Sequence, residues 1–563
     1  MVTPTQSGRA DLQSWSENQP KNFFTADPYL QAALAAAWGP DRYAKHLQEL
    51  EHMGAAAAAL DSDVRLNNRD HNLPRLDPWD GLGQPTRLIE HHPSYHRIGE
   101  VLYGSGQLRA LQEPGQWLYA LSLFYLGAHL GEAGHNCPIA CTAGVIKALQ
   151  AVGTPDQKER CLPRLLNTEF GYAYTGAQFL TEIQGGSDVG ANSLIARADS
   201  DGTFRLYGEK WFCSNAGADL ILITARVENG EVGTRGLGLF LMTSHLADGE
   251  RNHYRIRRLK DKLGTRTMAS AEIDFEGAVA EPMGDLDSGF ITAMTQVIHT
   301  SRLYNAFACL GYAQRATHLA RGYARHRKAF GQPILNYPLV QQSLAKMSAL
   351  VASQRALALH LAGLQDEQEK GQLESGTKAA LRVLVNLNKS RNAEHCRDVI
   401  TEGLSVLGGN GAIESFSPMP RLLRDVVVCE NWEGTHNTLY AQTLRDFSVR
   451  SLHEPALDHL KKLSSGLTPG VHRSALDAMV KSLETDIEAC LKTDPKHASL
   501  AMKSICRDMA DVAAGLCLAR ESEIWPLRPA TEQLPSPARL LEYFLHIKGT
   551  DLTPDLSLLE QLA

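Results

Sequence analysis

Glu433 stands in "CENWEGTHNTLY", residues 429–440, between a tryptophan and a glycine, with no lysine or arginine among these twelve residues. A carboxylate beside a bulky apolar ring loses hydration, and that raises its pKa toward the range of a general base. A solvated loop acid is the competing reading. A second candidate is "LTEIQGGSDVGANS", residues 180–193. Gly185 and Gly186 let the backbone approach a ligand closely, and Thr181 and Ser187 add short hydroxyl donors. A Gly-rich interdomain turn would look the same, since the stretch has neither a phosphate-loop lysine nor a G-x-G-x-x-G pattern.

Three further stretches carry chemistry-bearing residues. In "GEKWFCSN", residues 208–215, Phe212 and Ser214 sit near the end of a β-rich run. An aromatic face beside a hydroxyl suits a planar heterocycle, although core packing uses the same residues. In "YARHRKAFGQPILNYPLVQQ", residues 323–342, Arg325, Arg327 and Lys328 cluster at the end of a helical pattern. Such a group can hold a phosphate, or can be a solvated basic helix terminus. In "LGGNGAIESFSPMPRLLRD", residues 407–425, Gly408 and Gly409 open a second Gly-rich bend ahead of Arg421, Arg424 and the Glu433 loop.

The elements that must position these residues follow a pattern of α, then β, then α, with an extra α segment. Residues 1–27 are polar, and we expect them to be irregular. From Pro28 to about Leu166, apolar residues recur at three and four, as in "QWLYALSLFYLGAHL". Within this region residues 62–92 space Pro, Gly and Asp as a long loop or insertion would. Past Glu169 come short β-rich runs separated by Asp-Gly and Asn-Gly turns, the pattern of a compact antiparallel barrel or sandwich. Long helical patterns return over 290–329, 336–370 and 374–407, suggesting an antiparallel bundle. The expected domains are 1–166, helical with a leading arm; 167–280, the β-barrel; 281–450, the helical bundle; and 451–563, an extra helical domain. The fold class is α+β and mostly α.

The chain of 563 residues has a mild net charge of −7, which gives no global attraction to nucleic acid or to a membrane surface. The 10 cysteines are scattered, and the nearest pair, Cys137 and Cys141, lies in apolar "CPIAC". These read as reduced core thiols, with no metal site expected. No apolar run approaches the ~18 residues of a membrane helix, and the first thirty residues lack a secretory apolar stretch, so a cytoplasmic location is expected.

Taken jointly, the stretches above resemble the acyl-CoA dehydrogenase superfamily of flavoproteins. The family's FAD loop, T-E-x-x-x-G-S-D, matches Thr181-Glu182 through Gly186-Ser187-Asp188. Its strand motif, aromatic–x–Thr/Ser–Asn, matches Phe212-Cys213-Ser214-Asn215, and its R-x-x-F-G motif matches Arg327, Phe330 and Gly331. Gly408-Gly409 match its G-G-x-G bend, and Glu433-Gly434-Thr435 its E-G-T motif, with Asn437 two residues on. Within the superfamily the likeness is nearest to the AidB branch, the adaptive-response flavoproteins. It is carried by "ENQPKNFF", "DPYLQAAL", "HHPSYHRIGEVLYG", "RLKDKLGTRTMAS" and "NWEGTHN", and the likeness covers about residues 17–450.

The resemblance implies an N-terminal helical domain, a central β-barrel and a C-terminal four-helix bundle. It implies FAD held by Thr181, Gly186, Ser187, Phe212, Ser214, Gly408, Gly409, Trp432, Thr435 and Asn437, with Arg327 and Phe330 reaching the FAD of a neighbouring subunit. Glu433 would be the catalytic base, and Arg302 aligns with an arginine at the floor of the active site. The implied reaction is α-proton abstraction from an acyl-CoA with transfer of a β-hydride to the flavin, on a long or unusual acyl chain. A nitroalkane-oxidase reading would call for Asp where this chain has Glu433. Ala329 replaces a hydroxyl residue common in the family, which removes one phosphate contact. A homotetramer and an electron-transferring flavoprotein as acceptor are implied as well. The AidB branch also implies DNA binding with little dehydrogenase activity, and a non-catalytic acyl-CoA sensor is a third reading. Residues 451–563 hold 12 Lys/Arg against 16 Asp/Glu, a net charge of −4 that opposes phosphate neutralisation and so disfavours DNA binding.

Overall fold

The computed structural model describes residues 4–525, 535–550 and 555–563; residues 1–3, 526–534 and 551–554, parts of the expected leading arm and C-terminal helical domain, lie outside the described residues. The leading arm is not irregular as its polarity suggested, because α1 (Pro4–Glu17) occupies most of it. One aromatic anchor decides this. The Trp15 ring stacks on Phe416 at 4.9 Å between centroids and meets Tyr323 edge-on at 5.6 Å, and its Nε1 donates to the Leu319 carbonyl at 3.3 Å. Burying one large ring outweighs the polar composition of the helix around it.

α2 (Pro28–Ala59) bends at Gly39, whose φ of +71 precedes Pro40. The stretch expected to be a long loop, 62–92, is instead ordered as α3 (Asp61–Asn67) and an antiparallel hairpin of β1 (Arg75–Trp79) and β2 (Pro85–Glu90). Leu76 and Ile89 face each other across the hairpin, and both pack against the barrel core. The Asp80 carboxylate closes the turn by accepting from the Leu82 and Gln84 amides at 2.8 Å. The Pro, Gly and Asp that read as loop are the turn chemistry of this hairpin, which needs the barrel beneath it to be stable. Helices α4 (Pro93–Gly104), α5 (Gln107–Ala110), α6 (Trp117–Ala128), α7 (Ala133–Val152) and α8 (Pro155–Leu165) follow. A reciprocal Thr154–Gln157 capping box with Pro155 in the first turn starts α8 where the sequence signals it.

The barrel consists of β3 (Gly176–Phe179), β4 (Ile195–Ala198), β5 (Phe204–Ser214), β6 (Leu220–Val227), β7 (Leu237–Thr243), β8 (Tyr254–Leu259) and β9 (Ser270–Pro282). The sheet runs β3-β6-β4-β5-β9-β7, with β6–β7 pairing closing the ring and β8 added on β9. It is not wholly antiparallel as the short runs and turns suggested: β6 pairs in parallel with both β3 and β4. Turn signals report only the hairpin connections, whereas the parallel pairs join strands separated by longer connections. The interior is filled by Phe179, Leu206, Ile221, Ile223, Phe240 and Ile273, among others.

After the barrel come α9 (Gly289–Thr292), a π-helical turn over Ala293–Ile298, and α10 (His299–His326). A two-residue hairpin of β10 (Lys328–Ala329) and β11 (Gln332–Pro333) leads to α11 (Pro338–Glu369) and α12 (Ser375–Leu407). The chain continues through α13 (Met419–Asn431), α14 (His436–Arg450), α15 (His453–Ser465), α16 (Val471–Lys492), α17 (Pro495–Ile524), α18 (Pro537–Ile547) and α19 (Leu556–Leu562).

By compactness there are two units: Met1–Ala59, Tyr125–Gly131 and Asn305–Ala563 form one, and Leu60–Phe124 with Glu132–Tyr304 form the other. The extra C-terminal helices therefore share a unit with the long helices. Arg355 pairs with Glu521 at 3.0 Å, Arg391 with Asp511 at 2.7 Å, and Lys548 with Asp511 at 2.9 Å, tying α17 and the end of α18 to α11 and α12. Among the described residues no helix is long and apolar enough to cross a membrane.

Candidate active site

In the barrel unit, the loop after β3 is folded around a buried acid. Glu182, 1% exposed, accepts from Lys210 Nζ at 2.8 Å, Ser193 N at 2.6 Å, Ser193 Oγ at 2.9 Å, Leu194 N at 3.1 Å and Gln184 Nε2 at 2.9 Å. Burial alone would push this carboxyl up, but Lys210 and the other donors hold it below the usual carboxylate range. The ammonium of Lys210, also 1% exposed, reaches the Leu180 carbonyl at 3.1 Å. This pair fixes both ends of the turn that carries Thr181, Gly186 and Ser187.

Next to it, the β5–β9 register shifts between Lys210 and Cys213, a bulge. There the Trp211 amide donates to the Thr181 carbonyl at 2.9 Å, so the loop and the strand end are joined. A bulge at a sheet edge re-aims side chains. Cys213 stays in the barrel core, while Phe212 is 51% exposed and Ser214 is partly exposed on the same outward face. Lys260 Nζ lies 3.5 Å from the Trp211 ring centroid and 4.7 Å from that of Phe212, and it is paired to Glu272 at 2.8 Å. Gly186 cannot be replaced without displacement, since a Cβ there would lie 2.6 Å from Thr181 Oγ1. The strand end thus presents an open aromatic face, two hydroxyl residues and a close-approach glycine in one place. Arg302, in the same unit, is 5% exposed on the first turn of α10.

In the helical unit, Glu433 occupies the turn between α13 and α14. Its φ is +56 and that of Gly434 is +98. Left-handed backbone is uncommon outside glycine, and at a non-Gly residue it persists only when the surroundings impose it. Three contacts impose it here. Lys389, fully buried on α12, donates to the Glu430 carbonyl at 3.1 Å and the Gly434 carbonyl at 2.9 Å. Trp432 Nε1 is hydrogen-bonded to Asn305 Oδ1 on α10. Thr435 caps α14, its hydroxyl accepting from the Thr438 amide at 3.4 Å. The neighbouring acid, Glu430, is held by Arg397 at 2.8 Å and His436 at 2.9 Å.

Trp432, Glu433, Thr435 and Asn437 thus lie on one turn, the first two half-buried and the last two exposed. Gly408, with φ +60, ends α12, and a Cβ at Gly408 or Gly409 would meet nothing within 4 Å. Asn410 donates to the Tyr323 hydroxyl at 3.1 Å, tying that bend to α10. Arg327 and Phe330 sit on the short hairpin that follows α10, where Phe330 is 98% exposed with φ +49. Of the two arginines after the bend, Arg421 is buried and donates to the Leu130 and Gly131 carbonyls, and Arg424 pairs with Glu414. The predicted residues thus fall in two sets, one in each unit.

Residues 177–278 match the acyl-CoA dehydrogenase middle domain, and residues 287–446 match the acyl-CoA dehydrogenase C-terminal domain. Residues 15–172 match the N-terminal domain of the adaptive response protein AidB. Acyl-CoA dehydrogenase family member 11 of Caenorhabditis elegans is 30% identical over 463 residues, spanning 79% of this chain and 74% of that protein. The chain belongs to the acyl-CoA dehydrogenase family. A second family relative, AidB of Escherichia coli (strain K12), is 31% identical over 451 residues, spanning 76% of this chain and 79% of that protein. The crystal structure of Caenorhabditis elegans ACDH-11 in complex with C11-CoA superposes with a TM-score of 0.86 at 25% identity, covering 96% of this chain and 94% of that one. The acyl-CoA dehydrogenase family binds FAD, and the Bacillus anthracis acyl-CoA dehydrogenase complexed with FAD shares the fold, with a TM-score of 0.66 at 19% identity over 91% of each chain. The open Phe212 face, the Thr181 and Ser187 hydroxyls and the glycine that a Cβ would fill form a donor set that suits this cofactor.

Sequence reasoning missed Lys210, Lys260, Asn305 and Lys389. For Lys389 there was a signal: "NLNKSRN", residues 386–392, is a polar run within a long helix, yet Asn386, Asn388, Lys389, Ser390 and Asn392 are all buried. Polar residues on every face of a mid-helix turn mark a place where something other than apolar packing is being held.

Proposed function

We propose that the protein is an FAD-dependent acyl-CoA dehydrogenase whose base is Glu433. The observation that carries this reading is the Glu433 turn: Glu433 is held in left-handed backbone where the buried Lys389 ammonium bonds the Glu430 and Gly434 carbonyls, and the neighbouring acid Glu430 is paired with Arg397 and His436. Strain of this kind is kept where a side chain must point in one direction.

By the family resemblance, Thr181, Gly186, Ser187, Phe212 and Ser214 are the FAD-holding residues of the barrel unit, and Gly408, Gly409, Trp432, Thr435 and Asn437 those of the helical unit. Bound FAD supplies a two-electron, hydride-accepting ring. Glu433 takes the α-proton of the acyl thioester onto its carboxylate, the β-hydrogen leaves with its electron pair, and the α–β bond becomes double. Gly434, lacking a side chain, leaves room for the thioester beside the base. Arg302, buried on the first turn of α10, aligns with the family's arginine at the floor of the active site and would act there as a polar group.

Since ACDH-11 was solved with C11-CoA, a straight acyl-CoA of about that length is the first substrate to test. Electrons would pass on to an electron-transferring flavoprotein. The 98% exposure of Phe330 on a hairpin that buries nothing of its own supports contact with a neighbouring subunit of a homotetramer. The test is an anaerobic titration of the purified holoprotein with an acyl-CoA series, following loss of oxidised flavin absorbance. Bleaching with at least one chain length is expected; none with any length refutes the reading. Tight acyl-CoA binding without bleaching would instead select a sensor.

A further inference from the structure

We propose that Lys389 is a positioning residue for the base, an ammonium clamp that sets the direction of the Glu433 carboxylate. This rests on the reading of Glu433 given above. Lys389 lies midway along α12, 0% exposed, and reaches the Glu433 turn from 45 residues earlier in the chain. A buried ammonium needs polar partners, because its desolvation has to be offset. In this protein two of its hydrogen bonds go to main-chain carbonyls, those of Glu430 and Gly434, at 3.1 and 2.9 Å.

The placement of those carbonyls carries the inference. Glu430 belongs to the last turn of α13, where free carbonyls and the negative end of the helix dipole attract a cation. Gly434 is the first residue after Glu433. One ammonium therefore ties together the backbone just before and just after the base and closes a loop of five residues, 430–434. Within that loop Glu433 takes φ +56 and Gly434 φ +98, and Trp432 is pinned separately through its indole N–H to Asn305. With both carbonyls held on one nitrogen, the backbone from which the Glu433 side chain projects is fixed. Released, an ordinary residue at this position would relax out of the left-handed region.

The clamp acts on backbone atoms that flank the proposed base, so its loss should be felt in the chemical step more than in binding.

The test uses the full-length holoprotein carrying Lys389→Met, which keeps length and removes the donor. We expect FAD content and acyl-CoA affinity within about twofold of the wild type. Exchange of the substrate α-proton into D2O and the first-order rate of flavin reduction should both fall by about 10- to 100-fold, the scale of a misoriented general base. Rates within twofold of wild type would overturn the proposal. Lys389→Gln, which can reach only one carbonyl, is the second variant should the first not fold; it should show the same loss in smaller measure, and a wild-type rate there also overturns it. Amide hydrogen exchange over residues 431–435 gives a readout that needs no turnover. It should quicken at least tenfold in either variant, and unchanged exchange overturns the clamp. If the wild-type protein bleaches with no acyl-CoA, the dehydrogenase reading fails while this exchange measurement still decides the role of Lys389.

Discussion

Replacing Lys210 by methionine tests how the barrel-side loop is held. Glu182 and Lys210 are 1% exposed each, and their 2.8 Å ion pair is supplemented by three hydrogen bonds to Ser193 and Leu194 and one from Gln184. Removing one partner leaves a buried, uncompensated charge, which costs about 3–5 kcal/mol. Methionine fills the volume of the lysine stem, so the loss is electrostatic rather than a cavity. Glu182→Gln leaves the buried ammonium with the Leu180 carbonyl and a neutral amide, at a cost of about 3 kcal/mol on the same reasoning. The double variant carries neither charge, and its one amide oxygen can still take the place of the carboxylate oxygen that accepts from the Ser193 amide. It should therefore be less destabilised than the sum of the singles, by about 2–3 kcal/mol of coupling. Urea unfolding followed by tryptophan fluorescence, with parallel FAD titration, measures both consequences. Because the pair anchors the turn bearing Thr181, Gly186 and Ser187, FAD affinity should fall about 100-fold in each single variant, equivalent to about 2.7 kcal/mol. A Lys210→Met protein within about 1 kcal/mol of wild type, or strictly additive singles, would refute the argument that this pair organises the loop.

Other consequences can be checked in the same preparations. Glu433→Gln keeps size and backbone, so FAD should be retained while flavin reduction by acyl-CoA falls by about 10²–10⁴-fold; an unreduced rate removes Glu433 as the base. Phe330→Ala should change stability by less than about 0.5 kcal/mol, since the ring is 98% exposed, but should weaken subunit association in light scattering, and an unchanged oligomer speaks against the contact. Burial draws His129 down to about 4 and His135 to about 3, so both fold as neutral rings. Their folded pKa lies below the unfolded value of about 6.5, so the unfolded chain binds more protons below that pH. The stability they contribute is complete above pH 6.5 and is lost on acidification toward pH 4, at about 1.4 kcal/mol per histidine by pH 5.5. A urea midpoint that stays flat between pH 7.5 and 5.5 would contradict this.

How far the fold could be read in advance depended on whether the signal was local. The long helices α10, α11 and α12 were legible because apolar spacing is a property of the segment itself, and the barrel strands because Gly-containing turns punctuate them. The α1 helix was not, since its stability comes from Trp15 meeting residues some three hundred positions later in the chain. The 75–90 hairpin was missed for the same reason: its Leu76 and Ile89 gain their burial from the barrel core rather than from each other alone.

The candidate site divides along the same line. By itself the sequence determined which residue types are present at which spacing: the T-E-x-x-x-G-S-D stretch, the Phe212–Ser214 pair and the E-G-T turn follow from short runs whose chemistry is local. Only the tertiary structure decided that Glu182 is an internal anchor rather than a ligand-facing acid, because Lys210 and four other donors converge on it. Only the tertiary structure decided that Glu433 sits in left-handed backbone, because the lysine that clamps it comes from another helix. Buried polar groups must find partners, and the chain supplies those partners from wherever the fold brings a donor within reach.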